Sequence, residues 1–317
     1  MSLVKITQRI DNVTLVSEDY AHDTLPPPKS VKIELTARCD FSCFFCATRL
    51  RLRDKQDMDW DLLKTLLRQI RDAGVPEIGL FYLGESFLYP KLVDAIRYAK
   101  HDCGFPYVFL TTNGRLAVRE RVEACVRAGL DSLKFSFNSA DPEQFKEVTS
   151  LNAFDTVVQN ITDARAAIDA VFADTGRRCG LYASSILYDG EQKARMTKAV
   201  EEIRPFVDEH YYLPLYNQAG FIGKKGSAAP IAGNIGRVGA LREPIPCWSI
   251  FTEGHITYDG RLSACCFDHD GRFSMGDLKT TPFMEAWNSE TFRRLRKAHL
   301  ARDVKNTVCE KCIADQG

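Results

Sequence analysis

The sequence predicts an α/β protein: a partial (β/α)6 barrel of parallel strands, followed by a small C-terminal domain made of a β-hairpin and helices. Six short β-rich runs alternate with helix-period segments within residues 31–219, as is typical of βαβ units. An irregular, partly Gly-rich linker or loop follows at residues 220–246. Residues 247–317 form the second unit, where Asp259 and Gly260 signal the turn of a hairpin.

Composition restricts the class of function. The 317 residues are 45% hydrophobic and 26% charged, which is typical of globular proteins and excludes disordered, collagen-like and small disulfide-scaffold classes. Lys and Arg together number 42, as do Asp and Glu, so no excess of positive charge favours nucleic acid or an anionic membrane. We therefore expect a small-molecule substrate, with no nucleic-acid and no membrane partner.

The predicted compartment is the cytoplasm. No run of about 18 apolar residues is available to span a membrane, and the first residues lack the apolar core of a signal peptide. The chain carries 11 cysteines. Because the cytosol keeps thiols reduced, these cysteines indicate metal ligation or catalysis rather than disulfides.

Local residue patterns predict an N-terminal lead-in, several helices and six strands. Residues 1–30 are polar, end in a triple proline, and are predicted to form a lead-in on the surface. The clearest helix runs from Trp60 to Ile70, with Asp59 as its cap and Gly74 at its end. One or two short helices are predicted within residues 282–300. The six predicted strands lie at residues 31–35, 77–83, 106–112, 132–138, 181–188 and 210–216.

A cysteine motif follows the first strand directly. Cys39, Cys43 and Cys46 form a C-x3-C-x2-C loop. Three thiolates on one loop can hold three corners of a cubane iron–sulfur cluster, which normally takes four cysteines, and the fourth iron then stays open. An open metal position is typical of catalytic sites. A zinc loop or chance clustering is the alternative interpretation.

With Phe45 directly before its last cysteine, this motif resembles the signature of the radical SAM superfamily. The resemblance implies a radical SAM partial barrel whose [4Fe-4S] cluster binds S-adenosylmethionine at the open iron. It also implies that one electron cleaves this molecule to a 5'-deoxyadenosyl radical, with flavodoxin or ferredoxin as the type of electron donor. The cofactor supplies the chemistry, and the protein orients it.

Further residues match positions that bind S-adenosylmethionine in this family. Gly84, Glu85 and Ser86 stand where the family has a GGEP turn that holds the amino group of the cofactor, although Leu83 and Ser86 depart from that pattern. Two more pairs end the third and fourth strands, where family members line the ribose pocket: Thr112 and Asn113, then Ser136 and Asn138. Each of these residues can also be a turn or cap residue.

A second set of cysteines lies in the C-terminal unit: Cys247, Cys265, Cys309 and Cys312. Four thiolates complete the ligation of a cubane, so this set indicates an auxiliary cluster without an open iron. The spacing resembles the Twitch module, an abbreviated SPASM domain, and does not meet the full seven-cysteine SPASM pattern. Zinc is the alternative metal for four cysteines.

Cys266 lies next to Cys265 and belongs to neither of the two cysteine groups. On a strand, adjacent side chains point to opposite faces, so the spare thiol is predicted to face the barrel mouth as a hydrogen-atom donor. Alternatively, Cys266 is a small buried residue that only packs in the hairpin. A structural packing role of this kind is also predicted for Cys103, Cys125 and Cys179. His269 is predicted in an exposed turn, with a place in the substrate pocket as the alternative. Arg237 and Arg242 either bind polar substrate groups or are solvated.

The resemblance extends to enzymes of antibiotic biosynthesis and implies hydrogen abstraction from a carbinol carbon of a sugar or aminoglycoside-type substrate. Epimerisation, as in carbohydrate epimerases, is favoured because Cys266 has a role there. Dehydrogenation to a ketone, as in aminocyclitol dehydrogenases, is the first alternative. Peptide modification is the second, and a non-catalytic metal or electron-transfer scaffold is the third.

Overall fold

The parallel barrel sheet is present in the computed structural model, which describes residues 4–225 and 228–313. The predicted segments that reach residues 1–3, 226–227 and 314–317 lie partly outside this range. The main sheet of the described residues has the order β11-β10-β9-β1-β2-β3-β4-β5-β6, and β1 to β6 pair in parallel. The α/β fold class is therefore confirmed. The strands are β1 Ser30–Ile33, β2 Glu77–Gly79, β3 Tyr107–Thr112, β4 Ser132–Ser136, β5 Gly180–Leu187, β6 Glu209–Pro214, β7 Gly236–Arg237, β8 Ala240–Leu241, β9 Glu253–Ile256, β10 Arg261–Ser263 and β11 Ser274–Asp277.

Helices cover the outer face of the sheet. The predicted first barrel helix is α2, where the Asp59 side chain accepts hydrogen bonds from the backbone N–H of Asp61 and Leu62. Its apolar stripe, which includes Leu63 and Ile70, is buried against the sheet. The helices are α1 Ile6–Val13, α2 Trp60–Asp72, α3 Leu92–Arg97, α4 Arg119–Ala128, α5 Pro142–Thr149, α6 Phe154–Thr175, α7 Gly190–Ile203, α8 Ser249–Thr252, α9 Phe283–Trp287, α10 Glu290–Leu300 and α11 Glu310–Ile313.

The prediction of a surface lead-in at residues 1–30 is wrong for α1. This helix crosses the N-terminal ends of the barrel strands, where Arg9 pairs with Glu77 of β2 and Thr7 bonds Glu209 of β6 at 2.6 Å. Ile6 is buried against tyrosines of β5 and β6. The segment is polar overall, so its apolar stripe at helical spacing was not recognised in the sequence. That stripe packs across the N-terminal ends of the barrel strands.

The C-terminal unit extends the barrel sheet. Strand β9 pairs in parallel with β1, and β10 and β11 continue the sheet in antiparallel pairing. The edge of β1 that faces away from β2 offers unpaired backbone groups, and β9 satisfies them. The turn at Gly260, with φ of 80°, confirms the predicted hairpin, and α9 and α10 confirm the predicted short helices. The domain boundaries at residues 219 and 247 stay predictions.

The loop at residues 220–246 is anchored to α1. Arg237 binds the Asp11 carboxylate through two bonds of 2.6 and 2.8 Å, and Arg242 donates to the Asp11 carbonyl at 2.9 Å. The alternatives considered for these arginines, substrate binding or simple solvation, are therefore replaced by a structural role. No helix within residues 4–225 and 228–313 has both the length and the apolar character needed to cross a bilayer.

Candidate active site

The first cysteine motif and Cys266 reach one cavity of about 360 Å³ inside the barrel. Phe45 and Cys46 of the first motif line it, and Cys266 lines it from the C-terminal unit. Parallel strands place the loops that follow them at one edge of a sheet, so the loop after β1 lies at the barrel mouth. The pairing of β9 with β1 places the C-terminal unit beside this mouth, and Cys266 is its cysteine that lines the cavity.

Backbone hydrogen bonds hold the first cysteine loop in place. Ala37 donates to the carbonyl of Gln56 at 2.9 Å, and Phe44 donates to Val148 at the end of α5 at 2.9 Å. Within the motif, the N–H of Cys46 donates to the carbonyl of Cys43 at 3.0 Å. The loop is thus fixed at both ends by separate parts of the barrel.

The thiols of this loop are poorly solvated and close enough to influence one another. Burial raises the pKa of Cys39 to about 12, and the neighbouring Glu85 and Cys46 add to this effect. Burial also raises the pKa of Cys43, again reinforced by Cys46. A metal bound here would have to stabilise the thiolate forms, which the protein alone disfavours.

Gly84 allows close packing against the first cysteine loop. A Cβ added to Gly84 would overlap the carbonyl oxygen of Thr36 and approach that of Arg38 within 2.8 Å. Next to it, the N–H of Glu85 donates to the Arg38 carbonyl at 2.8 Å. The turn after β2 therefore supports the backbone that presents the three cysteines.

The Glu85 carboxylate is bound within the fold. It accepts hydrogen bonds from the backbone N–H of Phe87 at 3.1 Å and of Asn113 at 2.7 Å, and from the Thr112 hydroxyl at 2.9 Å. Burial raises its pKa to about 7, although these bonds oppose the rise. Glu85 thus ties the end of β3 to the turn after β2.

The other residues predicted to bind the cofactor divide into two sets. Phe45, Ser136 and Asn138 line the cavity. Gly84, Glu85, Ser86, Thr112 and Asn113 are not among its lining residues in the described chain, and they bond within the fold beside it. Ser86 donates to the Leu80 carbonyl at 2.7 Å, and the Asn113 amide donates to Asp40 at 2.6 Å. Their contact with the cofactor stays a prediction.

We expect Gly84→Ala to displace the first cysteine loop, because the added methyl group overlaps backbone atoms that cannot rotate away. Overpacking of this kind costs about 1–3 kcal/mol. The measurements are the melting temperature and the iron content after anaerobic reconstitution, and both should fall. Gly190→Ala is the matched control, since nothing lies within 4 Å of its added Cβ. Equal iron content in the two variants would contradict the supporting role of Gly84.

The second cysteine group comes from three separate elements. Cys247 precedes α8, Cys265 follows β10, and Cys309 and Cys312 flank the start of α11. Burial raises the pKa of Cys247 to about 12, with Cys266 and Cys312 adding to the effect, so these thiols lie near one another. No three His, Cys, Asp or Glu side chains within residues 4–225 and 228–313 converge as around a single metal ion.

Cys265 and Cys266 lie in the turn after β10, so the prediction that they alternate along a strand is wrong. Their thiols interact with each other, yet their surroundings differ. The Cys265 sulfur accepts from the N–H of Phe267 at 3.3 Å, whereas the Cys266 sulfur accepts from the Asn234 amide at 3.0 Å and lines the cavity. The role of Cys266 as a hydrogen-atom donor stays a prediction.

A buried ion pair on the cavity wall was missed by the sequence analysis. Lys32 of β1 and Glu253 of β9 both line the cavity and approach to 2.8 Å, and His255 bonds the same carboxylate at 2.9 Å. Burial raises the pKa of Glu253, but Lys32 and His255 outweigh it and lower the pKa to about 2. The available signal was Lys32 itself, a charged residue between the apolar Val31 and Ile33 in a predicted strand.

His269 is buried, so its predicted place in an exposed turn is wrong. Its ring contacts the Thr48 hydroxyl at 3.3 Å and the Gln218 amide oxygen at 2.7 Å. Burial lowers its pKa to about 3, so the ring is neutral and joins the loop after Cys46 to the C-terminal unit. Cys125 and Cys179 are buried in the core, which agrees with their packing interpretation, and Cys103 packs against the core partly buried.

Two family models match this chain. One is described as Radical SAM superfamily and matches residues 33–177, and the other is SPASM, an iron–sulfur cluster-binding domain, and matches residues 247–313. A curated relative is a GTP 3',8-cyclase of Chlorobaculum tepidum, 32% identical over 127 residues, or 40% of this chain and 38% of that protein. This chain spans less than half the length of the curated relatives that it matches.

Two solved structures share the fold at low identity. BtrN in complex with AdoMet and 2-DOIA has a TM-score of 0.56 and 15% identity, with 86% of each chain covered. SuiB of Streptococcus suis, bound to the precursor peptide SuiA, has a TM-score of 0.66 and 14% identity, with 86% of this chain and 67% of that chain covered. These likenesses concern the fold alone.

The matched domains imply a [4Fe-4S] cluster that binds S-adenosylmethionine and an auxiliary iron–sulfur cluster. The residues present fit both groups. Cys39, Cys43 and Cys46 are free thiols that would ligate three irons of a cubane and leave the fourth open, and the C-terminal quartet would supply four thiols. The assignment of each cysteine to its cluster stays a prediction.

Proposed function

Because the chain belongs to the radical SAM superfamily and carries a C-terminal SPASM region, we propose that it removes a hydrogen atom from a carbinol carbon of a sugar or aminoglycoside-type substrate and epimerises that carbon. Cys39, Cys43 and Cys46 would hold a [4Fe-4S] cluster, which when bound would supply the electron that cleaves S-adenosylmethionine to a 5'-deoxyadenosyl radical. Phe45, Ser136 and Asn138 line the space in which the cofactor and the substrate meet.

The observation that supports epimerisation is the place of Cys266. Its thiol lines the same cavity as Cys46, and the Asn234 amide orients its sulfur from 3.0 Å. In the proposed step the S–H bond of Cys266 breaks and a C–H bond forms at the substrate radical. The configuration inverts when the hydrogen arrives on the face opposite the one it left. One electron from a flavodoxin- or ferredoxin-type donor and one proton then restore the thiol.

Dehydrogenation is the second candidate, and the observation behind it is the carboxylate of Glu253 on the cavity wall. A substrate radical becomes a ketone when it loses one proton to a base and one electron to a one-electron acceptor. Glu253 is the acidic side chain of β9 on the cavity wall that can take this role. Its ion pair with Lys32 and its bond to His255 lower its pKa to about 2, so it is a weak base. Here Cys266 has no chemical role, which separates the two candidates.

The reaction in deuterated water distinguishes epimerisation from dehydrogenation. We expect Cys266→Ala to keep about eight irons per chain, which two [4Fe-4S] clusters contain, and to lose inversion of the sugar or cyclitol that the wild type converts. A thiol exchanges its hydrogen with solvent, so the wild type should place one deuterium on the inverted carbon. Oxidation would leave a carbonyl group instead. Cys103→Ala is the control, and inversion by Cys266→Ala at the wild-type rate contradicts the donor assignment.

Two broader alternatives are tested by simpler measurements. A non-catalytic scaffold would not cleave S-adenosylmethionine after reduction, so detection of 5'-deoxyadenosine excludes that class. Peptide modification predicts conversion of a peptide rather than of a small polyol. The cytoplasmic location of the protein stays a prediction.

A further inference from the structure

The loop that follows the first cysteine motif exposes positive charge and apolar surface together. Arg49 and Arg51 are exposed, and the leucines beside them, Leu50 and Leu52, are 38% and 44% exposed. Lys55 is exposed a few residues later. Large exposed apolar side chains grouped within one short loop are unusual on a protein surface and indicate a contact site.

A lysine from another part of the chain joins this group. The ammonium of Lys225 lies 4.3 Å from the ring centroid of Phe44, and the Arg49 guanidinium donates to the Phe44 carbonyl at 3.3 Å. We call the surface formed by Arg49, Leu50, Arg51, Leu52, Lys55 and Lys225 the cationic face. Phe44 lies between Cys43 and Cys46, so the cationic face adjoins the first cysteine loop directly.

The positive charges of the cationic face are not neutralised within the protein. None of Arg49, Arg51, Lys55 and Lys225 forms an ion pair with the described residues, and the one exposed acid of this loop is Asp54. Arg53 differs, because its guanidinium bonds Glu34 at 2.8 Å. The whole chain has no net charge, so the excess of positive charge is local to the cationic face. A charged patch on a neutral protein attracts a partner of opposite sign.

We propose that the cationic face is the docking surface for an acidic single-electron carrier protein of the flavodoxin or ferredoxin type. Exposed arginines steer such a partner by charge, and the two leucines supply the apolar centre of a small, transient interface. Docking there brings the redox centre of the carrier next to the three cysteines. The proposal rests on the proposed function only in requiring a reducible cluster at Cys39, Cys43 and Cys46.

The test measures the rate at which flavodoxin hydroquinone reduces the reconstituted protein. The decrease in the visible absorbance of the iron–sulfur clusters reports this rate, and no substrate is present. We expect Arg49→Glu/Arg51→Glu to lower this rate at least about tenfold, within the range of electrostatic steering. Reduction by dithionite, which needs no docking, should be unchanged. The wild-type rate should also fall steeply as salt rises, because exposed charges are screened.

Lys193→Glu/Lys198→Glu on α7 is the matched control, since it changes the net charge equally at two other exposed lysines. Its rate with flavodoxin should stay within twofold of the wild type. If the double arginine variant fails to hold its clusters, the reduction rate of the single variant Arg51→Glu tests the proposal instead. The Arg51 side chain makes no bond within the described chain, so its replacement should not disturb the fold.

Three outcomes overturn the docking proposal: reduction of the arginine variant at the wild-type rate, an equal loss in the α7 control, or a wild type that flavodoxin does not reduce. None of them depends on the substrate. Failure of the docking surface is therefore distinguishable from failure of the proposed epimerisation, which concerns Cys266.

Discussion

Anaerobically reconstituted Cys43→Ala protein is expected to hold about four irons per chain instead of about eight, and to release no 5'-deoxyadenosine from S-adenosylmethionine. Cys43 is the middle cysteine of the loop, and burial together with Cys46 raises the pKa of its thiol. Two remaining thiols leave the cubane under-ligated, so the whole cluster is lost. Iron analysis and product chromatography measure the two effects.

Two further variants make this result specific. Cys103→Ala removes a half-buried thiol outside both cysteine groups and should keep the full iron content and the cleavage activity. Cys247→Ala should lose iron from the C-terminal quartet while the first cysteine loop still binds its cluster. Full iron content and normal cleavage in Cys43→Ala would show that this loop does not hold the cluster.

Glu253→Gln is expected to lower the free energy of unfolding by about 3–5 kcal/mol, because it leaves Lys32 buried without its counter-charge. Lys32 and Glu253 lie 2.8 Å apart with side chains 21% and 3% exposed. Chemical denaturation of the variant and the wild type measures the difference. The double variant Lys32→Met/Glu253→Gln is the control, and it should recover part of the loss, since no unpaired charge remains.

The ion pair also predicts a pH dependence. The pKa of Glu253 falls from an ordinary 4.5 to about 2, so the folded state binds a proton less readily than the unfolded state. Its contribution is therefore complete above pH 4.5 and is lost as the pH falls from 4.5 to 2. Glu253→Gln should lack this part of the acid dependence. An identical pH profile for the variant and the wild type would contradict the assignment.

Local patterns were reliable guides to this protein. The six predicted strands and the helix capped by Asp59 are present, because alternation and capping depend on neighbouring residues. The cysteine spacings predicted both matched domains for the same reason. The prediction for residues 1–30 failed because the apolar stripe of α1 is short and lies within a polar segment.

Contacts between distant parts of the chain were not visible in the sequence. The turn that contains Cys265 and Cys266 was predicted as strand, because the local residue pattern does not show where a hairpin strand ends. His269 was expected at the surface, since polar residues flank it, and only its packing against Thr48 and Gln218 explains its burial.

By itself, the sequence determined the α/β fold and predicted two cysteine groups, because strand alternation and cysteine spacing are encoded by residues close together in the chain. Only the tertiary structure decided that β9 joins β1, that Lys32 meets Glu253 across 221 positions, and that Cys266 shares a cavity with Cys46. Such pairings depend on which surfaces the fold buries against each other, and the packing of the whole chain selects them.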